Sequence, residues 1–156
     1  MPDSQPVIPP SGRVAGLDFG TVRIGVALTD PGQRVASPLD NYTRRNRELD
    51  GQYFQELCRT EQLVGWVVGL PVHMSGSESG KSQEARHFGK NLQELTDLPV
   101  TFFDERFSSL MAEQLLQDAG LTSKQRKARR DKLAAWVMLA AWLESDRSGK
   151  PPGSIE

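Results

Sequence analysis

Seven consecutive residues, "VGWVVGL" (64–70), restrict the fold more than any other stretch of this chain. The run is almost wholly apolar and too short for a buried helix. It therefore reads as a strand covered on both faces, the signature of a central strand in a sheet with helices on each side. The flanking patterns agree. Residues 13–19 and 24–29 read as two strands joined by a tight turn, and 33–39 as a short third. Leu49, Tyr53 and Leu57 share one face of a helix over 48–63, and Ala85, Phe88, Leu92 and Leu95 one face of a helix over 79–95. "PVTFFD" (99–104) is a further strand. A helix capped by Ser108 or Ser109 and ending at Gly120 follows, and then a last helix over about 131–145. This order predicts an α/β fold, in which an antiparallel meander is followed by parallel β–α units.

At 156 residues the chain is the length of one domain, expected over 13–146 between disordered tails at 1–12 and 147–156. The N-terminal "MPDSQPVIPPSG" lacks the basic and apolar regions of a secretory signal, and no apolar run is long enough to span a bilayer. One cysteine, Cys58, permits no internal disulfide and fits a cytoplasmic protein. It reads as a small apolar filler rather than a nucleophile.

Net charge is −1, yet the charge is unevenly placed. Arg44, Arg45 and Arg47, with Lys124, Arg126, Lys127, Arg129, Arg130 and Lys132, are nine of the 19 basic residues. The rest of the chain carries 10 basic residues against 19 acidic ones. Two basic segments on an otherwise acidic chain suit a polyanionic partner, although each alone also fits a solvated surface.

Acidic residues stand where elements end. Asp18 closes the first strand, Asp104 and Glu105 close "VTFFDE", and Asp131 opens the last helix amid basic residues. In a sheet of this kind, ligands bind beyond the carboxyl ends of the parallel strands. Ala134 and Ala135, one turn into the last helix, would let it approach the first strand and bring Asp131 toward Asp18. Each acid also has a plain structural use. Asp18 could pin its turn, Asp104 and Glu105 could pair with Arg106, and Asp131 could be a helix cap. Together they form an oxygen-rich cluster whose mutual repulsion a hard divalent cation, Mg2+ or Mn2+, would relieve. Two such ions a few Å apart would activate water and stabilise the leaving oxygen in phosphodiester cleavage. Strand alternation sends Asp104 and Glu105 to opposite faces, so only one of them can face Asp18.

Four segments, "GLDFGTVRIGVALTD", "VVGLPVHMSGSESG", "FFDERFSS" and "RRDKLAAWVMLAAWLES", occur in an order and at spacings that resemble the YqgF/RuvX family. That family comprises Holliday junction resolvases and pre-16S ribosomal RNA nucleases. The resemblance runs from about Val14 to Leu143. It implies an RNase H-like fold with a mixed five-stranded sheet, three strands antiparallel and the others parallel, and helices on both faces. It implies that Asp18, Glu105 and Asp131 are the metal-binding catalytic acids, with Arg106, Ser108 and Ser109 lining the site. The expected partner is nucleic acid, either precursor ribosomal RNA or branched DNA, bound by a monomer or homodimer. Arg44, Arg45, Lys124, Arg126, Lys127, Arg129 and Arg130 are the candidate phosphate contacts. This chain has His73 where relatives commonly have asparagine, and Phe107-Ser108-Ser109 where they commonly have Leu-Thr-Thr. Neither change removes a carboxylate.

Competing readings share some of these motifs. "GLDFGTVRIGVAL" also looks like the first phosphate loop of actin-like and sugar-kinase ATPases, which need two such domains. "SGSESGKS" (75–82) lacks the first glycine of a Walker A loop, because Ser75 stands there. A nucleic-acid-binding module with a degenerate site is the third alternative.

Overall fold

The computed structural model describes residues 7–71, 80–105, 117–122, 124–125 and 130–145, with the side chains of Arg130 and Asp131 outside that set. Five strands form one sheet: β1 (Arg13–Asp18), β2 (Arg23–Thr29), β3 (Ala36–Thr43), β4 (Leu63–Leu70) and β5 (Val100–Asp104). They lie in the order β3-β2-β1-β4-β5. The first three are antiparallel, while β4 and β5 run parallel to β1. This is the mixed sheet expected from the sequence. The third strand is the exception. It starts at Ala36 rather than at 33 and is a full eight residues long. As an edge strand its polar residues meet solvent, so it lacks the apolar signal that marks β4.

Two helices, α1 (Arg47–Glu61) and α2 (Gly80–Thr96), cover one face, and α3 (Arg130–Glu144) covers the other. The alternation of each strand divides its residues between two cores. Ala15, Leu17, Trp66 and Val68 face α1 and α2. Val14, Val67 and Phe103 face α3, where they meet Ala135, Met138, Leu139 and Trp142. The close approach of α3 depends on Gly16. A Cβ there would lie 2.9 Å from the Leu139 Cβ. Of the two alanines expected at this contact, Ala135 is fully buried and Ala134 is exposed.

The buried stripe of α1 is also rotated from the expected one. It consists of Asp50, Phe54 and Leu57, with Leu49 and Tyr53 only half-buried. Asp50 is tolerated inside because it is fully hydrogen-bonded. Tyr42 Oη donates to it at 2.5 Å, the Arg45 N–H at 2.8 Å and Arg44 Nε at 3.4 Å. Burial pushes this carboxyl up, but those hydrogen bonds outweigh it and hold Asp50 below the ordinary value. The N-terminal segment expected to be disordered is packed from Ile8 onward. Ile8 is buried against Gly65, and Gln33 Nε2 donates to the carbonyls of Pro9 and Gly12. Residues 1–6 and 146–156 lie outside the described set, as does most of the expected helix before Gly120.

Candidate active site

The carboxyl ends of β1, β4 and β5 lie side by side, and β1 and β5 each deliver an acid there. Asp18 is the last residue of β1 and shares a face with Gly16 and Val14, the face that α3 covers. Phe103 also faces α3, whereas Phe102 lies against Gly89 of α2. Alternation therefore carries Asp104 to the α2 side and Glu105, just past the strand, to the α3 side. The Glu105 carboxyl is hydrogen-bonded to Asp18. Burial, then the bond to Asp18 and its negative charge, push Glu105 up to about 9, with Lys81 acting in the opposite sense and Asp104 adding to the rise. At neutral pH and without a cation Glu105 therefore keeps its proton and donates a hydrogen bond to Asp18. Between Asp104 and Glu105, the geometry brings Glu105 to Asp18.

Glycines make this pairing possible. Asp18 is in register with Gly25 of β2, which leaves no side chain on that flank. On the other flank Gly69 follows Val68, the register partner of Leu17. The Glu105 side chain lies directly across Gly69. A Cβ at Gly69 would stand 2.4 Å from Glu105 Oε1 and 3.0 Å from its Cγ and Cδ.

The start of α3 belongs to the same row. Gly25 is also in register with Asn41 of β3, so Asn41, Gly25 and Asp18 line up across three strands. Asn41 Oδ1 accepts the Lys132 N–H at 2.6 Å. Asp131, one residue earlier, thus lies at the same end of the sheet as Asp18. Among the described residues no group of three His, Cys, Asp or Glu side chains forms a metal cluster, and the Asp131 side chain is outside them. The two acids that are described form an oxygen-only donor pair held against its own repulsion. This chemistry fits a hard cation such as Mg2+ or Mn2+.

Of the candidate phosphate contacts, Arg44 is half-buried. It bonds Asp50 and the Gly20 carbonyl and lies 5.2 Å over the Phe19 ring. Arg45 is exposed and stacks over Tyr42, and Lys124 is exposed. Arg106, Ser108, Ser109, Arg126, Lys127, Arg129 and residues 72–79, His73 among them, lie outside the described residues, as does the Arg130 side chain. Three participants were not singled out from sequence. Lys81 shows only as an exposed lysine in a helix, Gly69 as one glycine in an apolar strand, and Asn41 as a polar residue between strand and helix signals.

A family model described as "RuvX: Holliday junction resolvase" matches residues 12–145. A protein of Rhodopirellula baltica named "Putative pre-16S rRNA nuclease" is 46% identical over 139 residues, which are 89% of this chain and 80% of that one. One of the same name from Rhodobacter capsulatus is 40% identical over 144 residues, 92% and 91% of the two chains. Among solved structures, T. thermophilus RuvC in complex with a Holliday junction substrate aligns with a TM-score of 0.58. That alignment has 14% identity over 90% of this chain and 99% of the other, a likeness of fold.

Proposed function

The chain belongs to the RuvX family of Holliday junction resolvases, and from that premise we propose that it is a divalent-metal-dependent endonuclease of structured nucleic acid. Its substrate is precursor 16S ribosomal RNA or a branched DNA junction in the cytoplasm. The observation that carries this reading is the Asp18–Glu105 pair, two carboxyls bonded to each other at the carboxyl edge of the sheet beside the start of α3. A partly buried Glu105 pushed up to about 9 beside a second acid opposes folding at neutral pH unless a cation occupies the pair.

In this reading Asp18, Glu105 and Asp131 hold the metal. A bound divalent cation supplies Lewis-acid charge at the scissile phosphate and a water of lowered pKa. Glu105 would release its proton to solvent when a cation is held there, which ties occupancy to pH. Lys81 and the basic residues from Lys124 to Lys132 offset the negative field of the acids, so that a phosphate backbone can approach. The four leading N–H groups of α3 point the positive end of its dipole the same way. Arg106, Ser108 and Ser109 complete the substrate contacts, with Arg44 and Arg45 on the face that α1 and α2 cover.

The test is cleavage of labelled junction DNA and of precursor 16S RNA by wild type and by Asp18→Asn, each with Mn2+ and with excess EDTA. Wild type is expected to cleave at least one substrate only with Mn2+, and the variant neither. Cleavage in EDTA, or by the variant, defeats the reading.

A further inference from the structure

We infer that Asn41 is a positioning residue, which sets where the first turn of α3 stands relative to Asp18 and so where Asp131 is presented. The inference rests on the three-carboxylate reading above. It starts from the unsatisfied amides of a helix start. The first four N–H groups of any α-helix have no acceptor within the helix, and a side chain just ahead of it normally supplies one. Helix α1 follows that rule, with Asn46 Oδ1 accepting the Leu49 N–H three residues on. Among its described bonds, helix α3 takes an acceptor from far away. Its Lys132 N–H bonds to Asn41 Oδ1 at 2.6 Å, across 91 residues of sequence.

The two arrangements have different consequences. A local cap fixes a helix to its own preceding loop, whereas a remote acceptor fixes it to the sheet. The strand that provides this acceptor is in register, through Gly25, with Asp18 itself. Because Gly25 carries no side chain, nothing projects from the middle strand between the Asn41 and Asp18 positions. A second anchor lies four residues along α3, where Trp136 Nε1 donates to the Ala36 carbonyl at 2.9 Å. Lys132 and Trp136 share one side of the helix. Two points on one side determine both the rotation of α3 and its height over the sheet. Releasing the upper point leaves the lower one, together with the buried Ala135, Met138, Leu139 and Trp142, to hold the fold. Loss of Asn41 should therefore loosen the turn bearing Asp131 without unfolding the protein.

The experiment measures Mn2+ affinity by titration calorimetry and hydrogen exchange at the Lys132 amide. It compares wild type, Asn41→Leu, Asn41→Asp and Asp18→Asn at full length. Asn41→Leu keeps the side-chain size but removes the acceptor. It is expected to exchange Lys132 faster and to bind Mn2+ on the order of tenfold more weakly, the scale seen when a support for a metal ligand is lost. Asn41→Asp keeps an oxygen acceptor, so slow exchange at Lys132 should return. Asp18→Asn should lose Mn2+ binding. If it does, but Asn41→Leu binds Mn2+ as wild type does or exchanges Lys132 no faster, the positioning role is overturned and the carboxylate reading stands. Fast exchange in Asn41→Asp overturns the role too. If Asp18→Asn binds Mn2+ like wild type, the carboxylate reading fails and the Asn41 role falls with it.

Discussion

Replacing Gly69 with alanine adds one methyl group at the centre of the proposed site and nowhere else. That Cβ would lie 2.4 Å from Glu105 Oε1, where ordinary contact begins at 3.4 Å. The carboxyl must therefore withdraw by about 1 Å, and a misplacement of that size costs on the order of 100-fold in rate. The fold should scarcely register the change. The displaced atoms are the free end of a flexible side chain, and alanine in a strand offsets some of the strain by about 0.5–1 kcal/mol relative to glycine. Net stability should stay within about 1 kcal/mol of wild type. Gly89→Ala provides the contrast. Its Cβ would lie 2.6 Å from two atoms of the rigid Phe102 ring, an overlap costing about 1–3 kcal/mol, of which the gain of alanine over glycine in a helix offsets about 1 kcal/mol. Its rate per folded molecule should be unchanged. The assay pairs urea unfolding with Mn2+-dependent cleavage of the best substrate. If Gly69→Ala cleaves within about threefold of wild type, Glu105 does not need its place over Gly69, and the proposed site is wrong in its geometry.

The raised Glu105 also makes stability depend on pH in the absence of divalent cations. The folded chain keeps this proton up to about pH 9 and the unfolded chain loses it near the ordinary 4.5. Stability is thus fully present below 4.5 and falls as pH rises through that window, by at most about 1.4 kcal/mol per pH unit. Glu105→Gln should remove this slope and be the more stable protein at pH 8; parallel denaturation profiles of the two would contradict the assignment. Replacing Arg126, Lys127 and Arg129 together with alanine should weaken nucleic-acid binding on every sequence. It should also reduce the salt slope by about 0.7–0.9 for each phosphate that is no longer neutralised, whereas an unchanged slope would return this run to a solubilising role. Tyr42→Phe removes the donor to the buried Asp50 and should cost about 1.5–3 kcal/mol in urea unfolding while cleavage per folded molecule stays at the wild-type level.

Strands and helices with one apolar face could be read from the sequence because burial repeats along them. The apolar run of β4 and the alternation that separates Asp104 from Glu105 are of this kind. What could not be read depends on partners distant in sequence. Ile8 sits among prolines and looks like part of a tail until Gly65 of β4 opens a space for it. Asp50 looks like a surface acid until Tyr42, Arg44 and Arg45 surround it. Tyr53 reads as a core residue, but its hydroxyl reaches Asp40 at 2.7 Å, and Phe54 takes the interior position. Within the site, the acids announce themselves by standing at element ends. Gly69 and Asn41 do not, since an absent side chain and a remote acceptor leave no periodic trace.

The way α3 is attached also determines when the molecule becomes complete during synthesis. Its hydrogen bonds to β3 join residues 91 and 100 positions apart, so they close late by any route. A ribosome that has made the chain through Asp104 has produced all five strands. The sheet face lined by Val14, Ala27, Val67 and Phe103 still waits for a cover. Until residues 130–144 emerge, α3 cannot pack on that face, and the Lys132 N–H has not reached Asn41 at the end of the sheet that holds Asp18. Helix α3 thus covers the core and, in the proposed reading, supplies the remaining acid in one event. In the proposed reading, a nascent or prematurely terminated chain lacks a finished cutting site beside the RNA-rich machine that made it, so vectorial translation acts as a safety interlock.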